Sequence, residues 1–277
     1  HMGVNPKIAR AALHFWEEPC ISGTRGSGTV FFSGCTLRCV FCQNYEISTE
    51  RNVGKSLTPQ ELAGTFQRLA DQGAQNINLV NPTHFAAAVI EALRIWKPAA
   101  KIPVVYNTSG YERVETVRAL RGLVDIYLPD FKYAESQMSL AYSGAEDYAL
   151  VAKAALLEMA EQTGKPVFGS DGMLRSGTMV RHLILPGHTR NSLMVLEWLA
   201  ENRGERAVSS LMAQYVPCGK APDYPELNRR ITQREYEKVQ QRLFELGLDG
   251  FVQERSSSKK EYIPDFDLQG VFSQEKY

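Results

Sequence analysis

The chain has 277 residues, of which 44% are hydrophobic and 22% charged, with 21 glycines. These values are ordinary for a globular protein and exclude collagen-like, coiled-coil and wholly disordered chains. Lys and Arg number 31, Asp and Glu 31, and the formal net charge is +0, which gives no electrostatic footprint for non-specific nucleic-acid binding. No apolar run approaches the roughly 18–20 residues that span a bilayer, and no signal-peptide core is evident. Neither nucleic acid nor membrane is an expected partner, and a cytoplasmic protein is expected.

Apolar periodicity alternates between two types along the chain. Residues 29–33 read as a buried strand. Thr58, Pro59 and Glu61 open a helix as N-cap, first-turn proline and capping-box partner, and Gly73 stops it. Strands follow at 76–80, 104–106 and 124–128. Helices are expected at 85–97, where Pro98 ends the run, and after Gly110 to about 120. An Ala- and Leu-rich helix is expected at 146–163. Residues 166–176 hold an Asp171-Gly172 turn and read as a small hairpin. The alternation resumes with a strand at 180–185, a helix at 191–202 and a strand at 207–215. Thr232 and Glu235 form a second capping box before a helix to about 246, and 250–253 is a candidate last strand. The tail from about 255 to 277 is polar. Strands alternating with helices predict right-handed βαβ units and a parallel sheet. Six repeats are too few for an eightfold barrel, so a partial barrel or an open doubly wound sheet fits. No composition break divides the chain, and one domain over 3–277 is expected.

Five cysteines stand at 20, 35, 39, 42 and 218. An odd count in a large chain is a poor disulfide framework. Cys35, Cys39 and Cys42 fall in one loop (34–45) after the first strand, at the carboxyl end where parallel α/β folds carry their chemistry. A structural zinc site wants a fourth ligand, and neither His14 nor His84 stands at zinc-finger spacing. An iron–sulfur cluster normally takes four cysteines, so three leave one iron open.

The run Cys35-x3-Cys39-x2-Cys42, with Phe41 before the third cysteine, resembles the signature of the radical S-adenosylmethionine (SAM) superfamily. The wider stretch from Gly26 to Cys35, with Cys42-Gln43-Asn44, is similar to the pyruvate formate-lyase activating enzyme branch. The resemblance runs from about 23 to 219. It implies a single-domain partial (β/α)6 barrel and one 4Fe–4S cluster on Cys35, Cys39 and Cys42. It implies SAM on the open iron, reductive formation of a 5′-deoxyadenosyl radical, and hydrogen abstraction from a substrate. The protein or peptide substrate of such a branch would be a glycyl-radical enzyme, and the electron donor a flavodoxin or ferredoxin type. A radical SAM enzyme acting on another peptide or a small molecule is an alternative, as is a non-catalytic iron–sulfur or zinc module.

The strand ends supply candidate SAM contacts. Phe41 would lie near the adenine, and Asn44 follows the cysteine run. Where the superfamily usually has Gly-Gly-Glu, this chain has Asn81-Pro82-Thr83; Asn81 and Thr83 offer oxygens to an ammonium. Asn107 and Ser109, in a turn similar to the branch's Thr-Asn-Gly, would face the ribose or methionyl part. Asp130 and Lys132 resemble the branch's Asp-x-Lys segment, with Asp130 a candidate for the ribose hydroxyls or a monovalent cation and Lys132 for a carboxylate. Arg181, in a strand resembling Arg-x-x-x-x-Pro-Gly, is expected to grip the SAM carboxylate. Gln214 or Tyr215 falls at the adenine region. Asp125, Cys20 and Cys218 are expected to be structural.

Overall fold

The computed structural model describes residues 3–50, 53–248, 250–252 and 264–271. The expected polar tail therefore lies outside the described residues except for 264–271. Ten strands are present among the described residues: β1 (Lys7–His14), β2 (Ser27–Phe32), β3 (Lys55–Ser56), β4 (Ile77–Val80), β5 (Val104–Thr108), β6 (Ile126–Pro129), β7 (Val167–Phe168), β8 (Leu174–Leu183), β9 (Ala207–Met212) and β10 (Gly250–Val252). Between them run α1 (Pro19–Ser22), α2 (Pro59–Asp71), α3 (Ala86–Trp96), α4 (Val114–Ala119), α5 (Ser136–Ser143), α6 (Tyr148–Thr163), α7 (Thr189–Asn202) and α8 (Gln233–Glu245).

The sheet order is β10-β9-β8-β6-β5-β4-β2-β1-β3. From β2 to β10 the neighbours are parallel and in chain order, the arrangement of right-handed βα repeats winding one way. The sheet stays open, a partial barrel whose edges are β10 and β3. β1 and β3 extend it antiparallel beyond β2. β8 is longer than the strand read at 180–185, because the second arm of the Asp171-Gly172 hairpin continues into it without a break.

Both capping boxes form. Thr58 accepts from the Glu61 amide and Thr232 from the Glu235 amide, and each glutamate reaches back to its cap. The amphipathic helices cover the convex face of the sheet. There α2, α3 and α4 pack Phe66, Trp96 and Val117 against Ile77, Tyr106 and Tyr127. The period-2 alternation of the strands sends the other side chains into the concavity. Val105, Ile126, Leu128 and Met179 line its lower part, where Cys20 and Ile21 of α1 plug it. Above this apolar floor the same strands carry Asn107, Asp130 and Arg181. Floor and polar rim are thus one alternation read at two heights.

Candidate active site

The three cysteines and the carboxyl ends of β4, β5, β6, β8 and β9 surround one cavity of about 200 Å³. It is lined by Cys35, Cys39, Cys42, Phe41, Asn44, Asn81, Asn107, Ser109, Asp130, Lys132, Arg181 and Gln214, so all but one of the candidate residues read from the sequence meet there. The exception is Thr83. Its hydroxyl donates to Glu112 Oε1 at 2.6 Å, as does that of Thr108, so it braces the rim rather than facing the cavity. Tyr215 also turns away. It is buried, donates to Leu227 O at 2.8 Å and packs on Phe41, which leaves Gln214 as the β9-end residue in the cavity.

Arg181 lines the cavity and is also tied to the protein's own groups. Its Nε donates to Asp130 Oδ1 at 2.9 Å, Nη1 to Glu17 Oε2 at 3.1 Å and Nη2 to Asn107 Oδ1 at 2.6 Å. Three of its five N–H groups are thus engaged by the protein's own groups, while the side chain still lines the cavity. The reason is local charge: Glu17, Glu18 and Asp130 converge on one concave face, and a buried carboxylate without a partner is costly. Asp130 is likewise engaged, since Lys132 Nζ donates to its Oδ2 at 2.5 Å. Burial alone would raise the Asp130 carboxyl, but the Arg181 guanidinium and Lys132 ammonium outweigh it and hold it below the usual aspartate range. Burial opposes the Lys132 charge too, and Asp130 and Cys39 overcome it. Lys132 keeps further N–H donors for a ligand.

Ser109 Oγ is buried at the cavity wall with no hydrogen bond. Asn81 holds φ 57°, a left-handed conformation that asparagine tolerates, and its amide donates to Asn107 O at 2.9 Å, fixing the β4 end against β5. Gly110 (φ 79°) lies so close to β6 that a Cβ would stand 2.1 Å from Asp130 O. Tyr148 of α6 bridges the same gap: its hydroxyl accepts from Lys132 N at 3.0 Å and lies 2.8 Å from Ser109 O.

The cysteine loop is held from both sides. Gly34 N donates to Ile47 O, and Arg38 N and Val40 N donate to Ser143 O and Tyr142 O at the end of α5. His84 Nε2 lies 2.7 Å from Ser33 O at the base of the loop, so this histidine positions the loop from behind. Burial and mutual repulsion push the Cys35 thiol up to about 12 and the Cys42 thiol up to about 11; burial raises Cys39 as well. Three such thiols become thiolates only when a cationic centre takes them. Among the described residues no three His, Cys, Asp or Glu side chains converge as on a single metal ion. Sulfurs spread around one cavity fit a cluster in which each iron takes its own cysteine. Cys218 Sγ donates to Phe41 O at 3.3 Å, and Cys20 is buried in the α1 plug.

Sequence reasoning missed Glu17, Glu18 and Glu112. Glu17 lines the cavity and accepts from Asn78 and Asn107. Glu18 is 1% exposed and accepts from Ser210, and burial raises its carboxyl. Glu112 is buried under the rim, and burial pushes it up to about 7. The paired acids before Pro19 were the one local signal for the first two.

An open parallel α/β sheet with a three-cysteine loop at its carboxyl edge defines a cofactor-dependent partial barrel of a particular class. Residues 29–199 match the Radical SAM superfamily, and the chain belongs to that family. An uncharacterized protein of Methanocaldococcus jannaschii is 31% identical over 236 residues, covering 82% of this chain and 64% of its own length. HydG, a maturase of the FeFe hydrogenase, shares the fold with a TM-score of 0.52 at 12% identity, over 85% of this chain and 54% of its own. Streptococcus suis SuiB bound to the precursor peptide SuiA shares it with a TM-score of 0.51 at 12% identity, over 80% and 46%. The chain thus spans less than two thirds of each. Among the described residues no helix is long and apolar enough to cross a membrane.

Proposed function

We propose that this radical SAM enzyme acts on a protein or peptide, in the manner of the glycyl-radical activating enzymes. Cys35, Cys39 and Cys42 would hold a 4Fe–4S cluster, and the strand ends around them would hold SAM. The cluster and SAM together supply one-electron reductive cleavage of the S–C5′ bond and a deoxyadenosyl radical that abstracts hydrogen. The chain's own residues bind and orient. Asn81 and the unpartnered Ser109 Oγ accept from the SAM ammonium or ribose, Lys132 meets its carboxylate, and Phe41, Asn44, Asn107 and Gln214 close the wall around the adenosyl part. Arg181 and Glu17 keep the polar rim rigid. An electron donor of the flavodoxin or ferredoxin type would feed the cluster.

The observation that carries this reading is the single cavity that joins the three cysteines to five strand ends. A second cavity of about 320 Å³ shares Gln43 and Pro264 with it and is walled by Val216, Pro217 and Phe266. The test is anaerobic reconstitution, expected to load about four irons per chain. Incubation with a glycyl-radical-type partner protein carrying α-deuterated glycine should then transfer deuterium into 5′-deoxyadenosine. Cys39→Ala should lose iron and cleavage together. Stoichiometric zinc in place of iron would sink the cofactor assignment. Deuterium transfer from small molecules alone would sink the substrate assignment.

A further inference from the structure

Each candidate cluster cysteine has a hydrogen-bond partner at sulfur, and the three are not equal. Cys35 Sγ accepts from Leu37 N at 3.4 Å, and Cys42 Sγ lies 3.3 Å from Ser48 Oγ. Cys39 Sγ accepts from Ser143 Oγ at 3.0 Å, and Ser143 Oγ is in turn 2.7 Å from the Tyr133 hydroxyl. Ser143 is 2% exposed and Tyr133 0%. The Tyr133 ring is locked edge-on between Phe41 and Tyr148. Ser143 is also the last residue of α5, and its carbonyl accepts from Arg38 N beside Cys39, so one residue grips the loop at backbone and sulfur.

Proton counting fixes the direction of this chain. A thiolate ligand carries no proton and can only accept. The single Ser143 proton is therefore committed to Cys39 Sγ, and the Tyr133 proton must be donated to Ser143 Oγ. Two hydroxyls thus point head to tail at one sulfur in a dry environment, where such chains polarise one another. A donor aimed at a ligand sulfur favours the more negative state of the cluster, because one-electron reduction adds a negative charge that the sulfurs share.

We propose that Ser143, polarised by Tyr133, is a positioning residue that sets the reduction potential at Cys39, raising it into reach of a biological electron donor. This rests on the reading of Cys35, Cys39 and Cys42 as cluster ligands. The experiment is a redox titration of the anaerobically reconstituted full chain, following the EPR signal of the reduced cluster, with iron content measured on every sample. Ser143→Ala should keep its iron while its reduced fraction at a fixed poise falls about tenfold, a shift of about 59 mV to more negative potential for a one-electron couple. Tyr133→Phe should move the same way by less, and Ser143→Thr should stay with the parent. An iron-loaded Ser143→Ala protein whose midpoint is unmoved, or moves up, overturns the proposal. If Ser143→Ala loses iron, Tyr133→Phe decides, and an unmoved midpoint there overturns it. Loss of iron from both variants would mean that the pair holds the ligand without tuning it. A parent chain that loads no iron sinks the cluster reading itself, and the two failures are told apart by the iron assay.

Discussion

Glu112 is a carboxyl placed where few carboxyls can stay charged. It is 1% exposed, accepts two threonine hydroxyls at Oε1 and lies beside the buried Tyr106 hydroxyl. Burial raises it from 4.5 to about 7, against the pull of those hydroxyls. An acid whose folded value exceeds its unfolded one holds its proton more tightly when folded. Stability therefore falls as pH rises from about 4.5 to about 7 and is flat above, with a full penalty on the order of 3 kcal/mol. Glu112→Gln removes the titration. Its stability relative to the parent, measured by urea unfolding, should improve across that window and level off above it; a pH-independent difference would refute this account. None of this was legible locally. Glu112 meets Thr83 from 29 residues away, and Arg181 meets Glu17 from 164. The cysteine spacing and the strand-end residues were legible, because a loop motif and a parallel fold's carboxyl edge are local facts. Which polar group already has partners is a property of the assembled concavity, and that is why the bracing of Arg181 by Glu17, Asn107 and Asp130 has no local signature.

At the scale of elements, the βα repeats were readable because each carries its own periodicity and caps. β1 was not. Its Lys7-Ile8-Ala9-Arg10-Ala11-Ala12 run has little strand propensity, and it is a strand because β2 pairs with it in antiparallel register. The same limit hid α5, a short helix with Leu140 exposed, whose last turn nevertheless braces the cysteine loop. The junction of β5 and β6 shows how elements set the site. Gly110 allows their carboxyl ends to close, and Tyr148 pins Lys132 N beside Ser109 O across the gap. Gly110→Ala puts a Cβ into Asp130 O in a left-handed conformation, a strain of at least about 1–3 kcal/mol. The melting temperature should drop. The shift of β6 should also displace Asp130 and Lys132, weakening SAM binding in equilibrium dialysis. Parent-like stability and binding would show that the two strand ends are free to part.

Across the whole molecule, the two ends of the described chain meet on one side of the cavity. Residues 264–271 return to β1, where Ala11 N donates to Gln269 O at 2.9 Å and Arg10 reaches Asp265 O and Asp267 Oδ1. Phe266 stands edge-on to Phe31, whose ring lines the cavity, and Val271 is buried with the α2 and α3 core. Pro264 borders both cavities, so this segment forms part of their walls. Residues 264–271 are held for a physical reason: Phe266 and Val271 find apolar neighbours, and Arg10 far upstream reaches Asp265 and Asp267. The attachment has one vulnerable point. Gly270 sits at φ 70°, and a Cβ there would lie 1.9 Å from Ala11 O. Gly270→Ala must therefore lift the segment from β1. It should lose much of the burial of Val271, on the order of 1.5–3 kcal/mol. Hydrogen exchange offers the discriminating measurement. The Ala11 amide, which Gln269 holds, should exchange faster in the variant, while amides in the central strands β5 and β6 change only as far as global stability falls. If Ala11 stays as protected as in the parent, the segment is not anchored through Gln269. The mouth of the cavity would then owe its shape to the barrel alone.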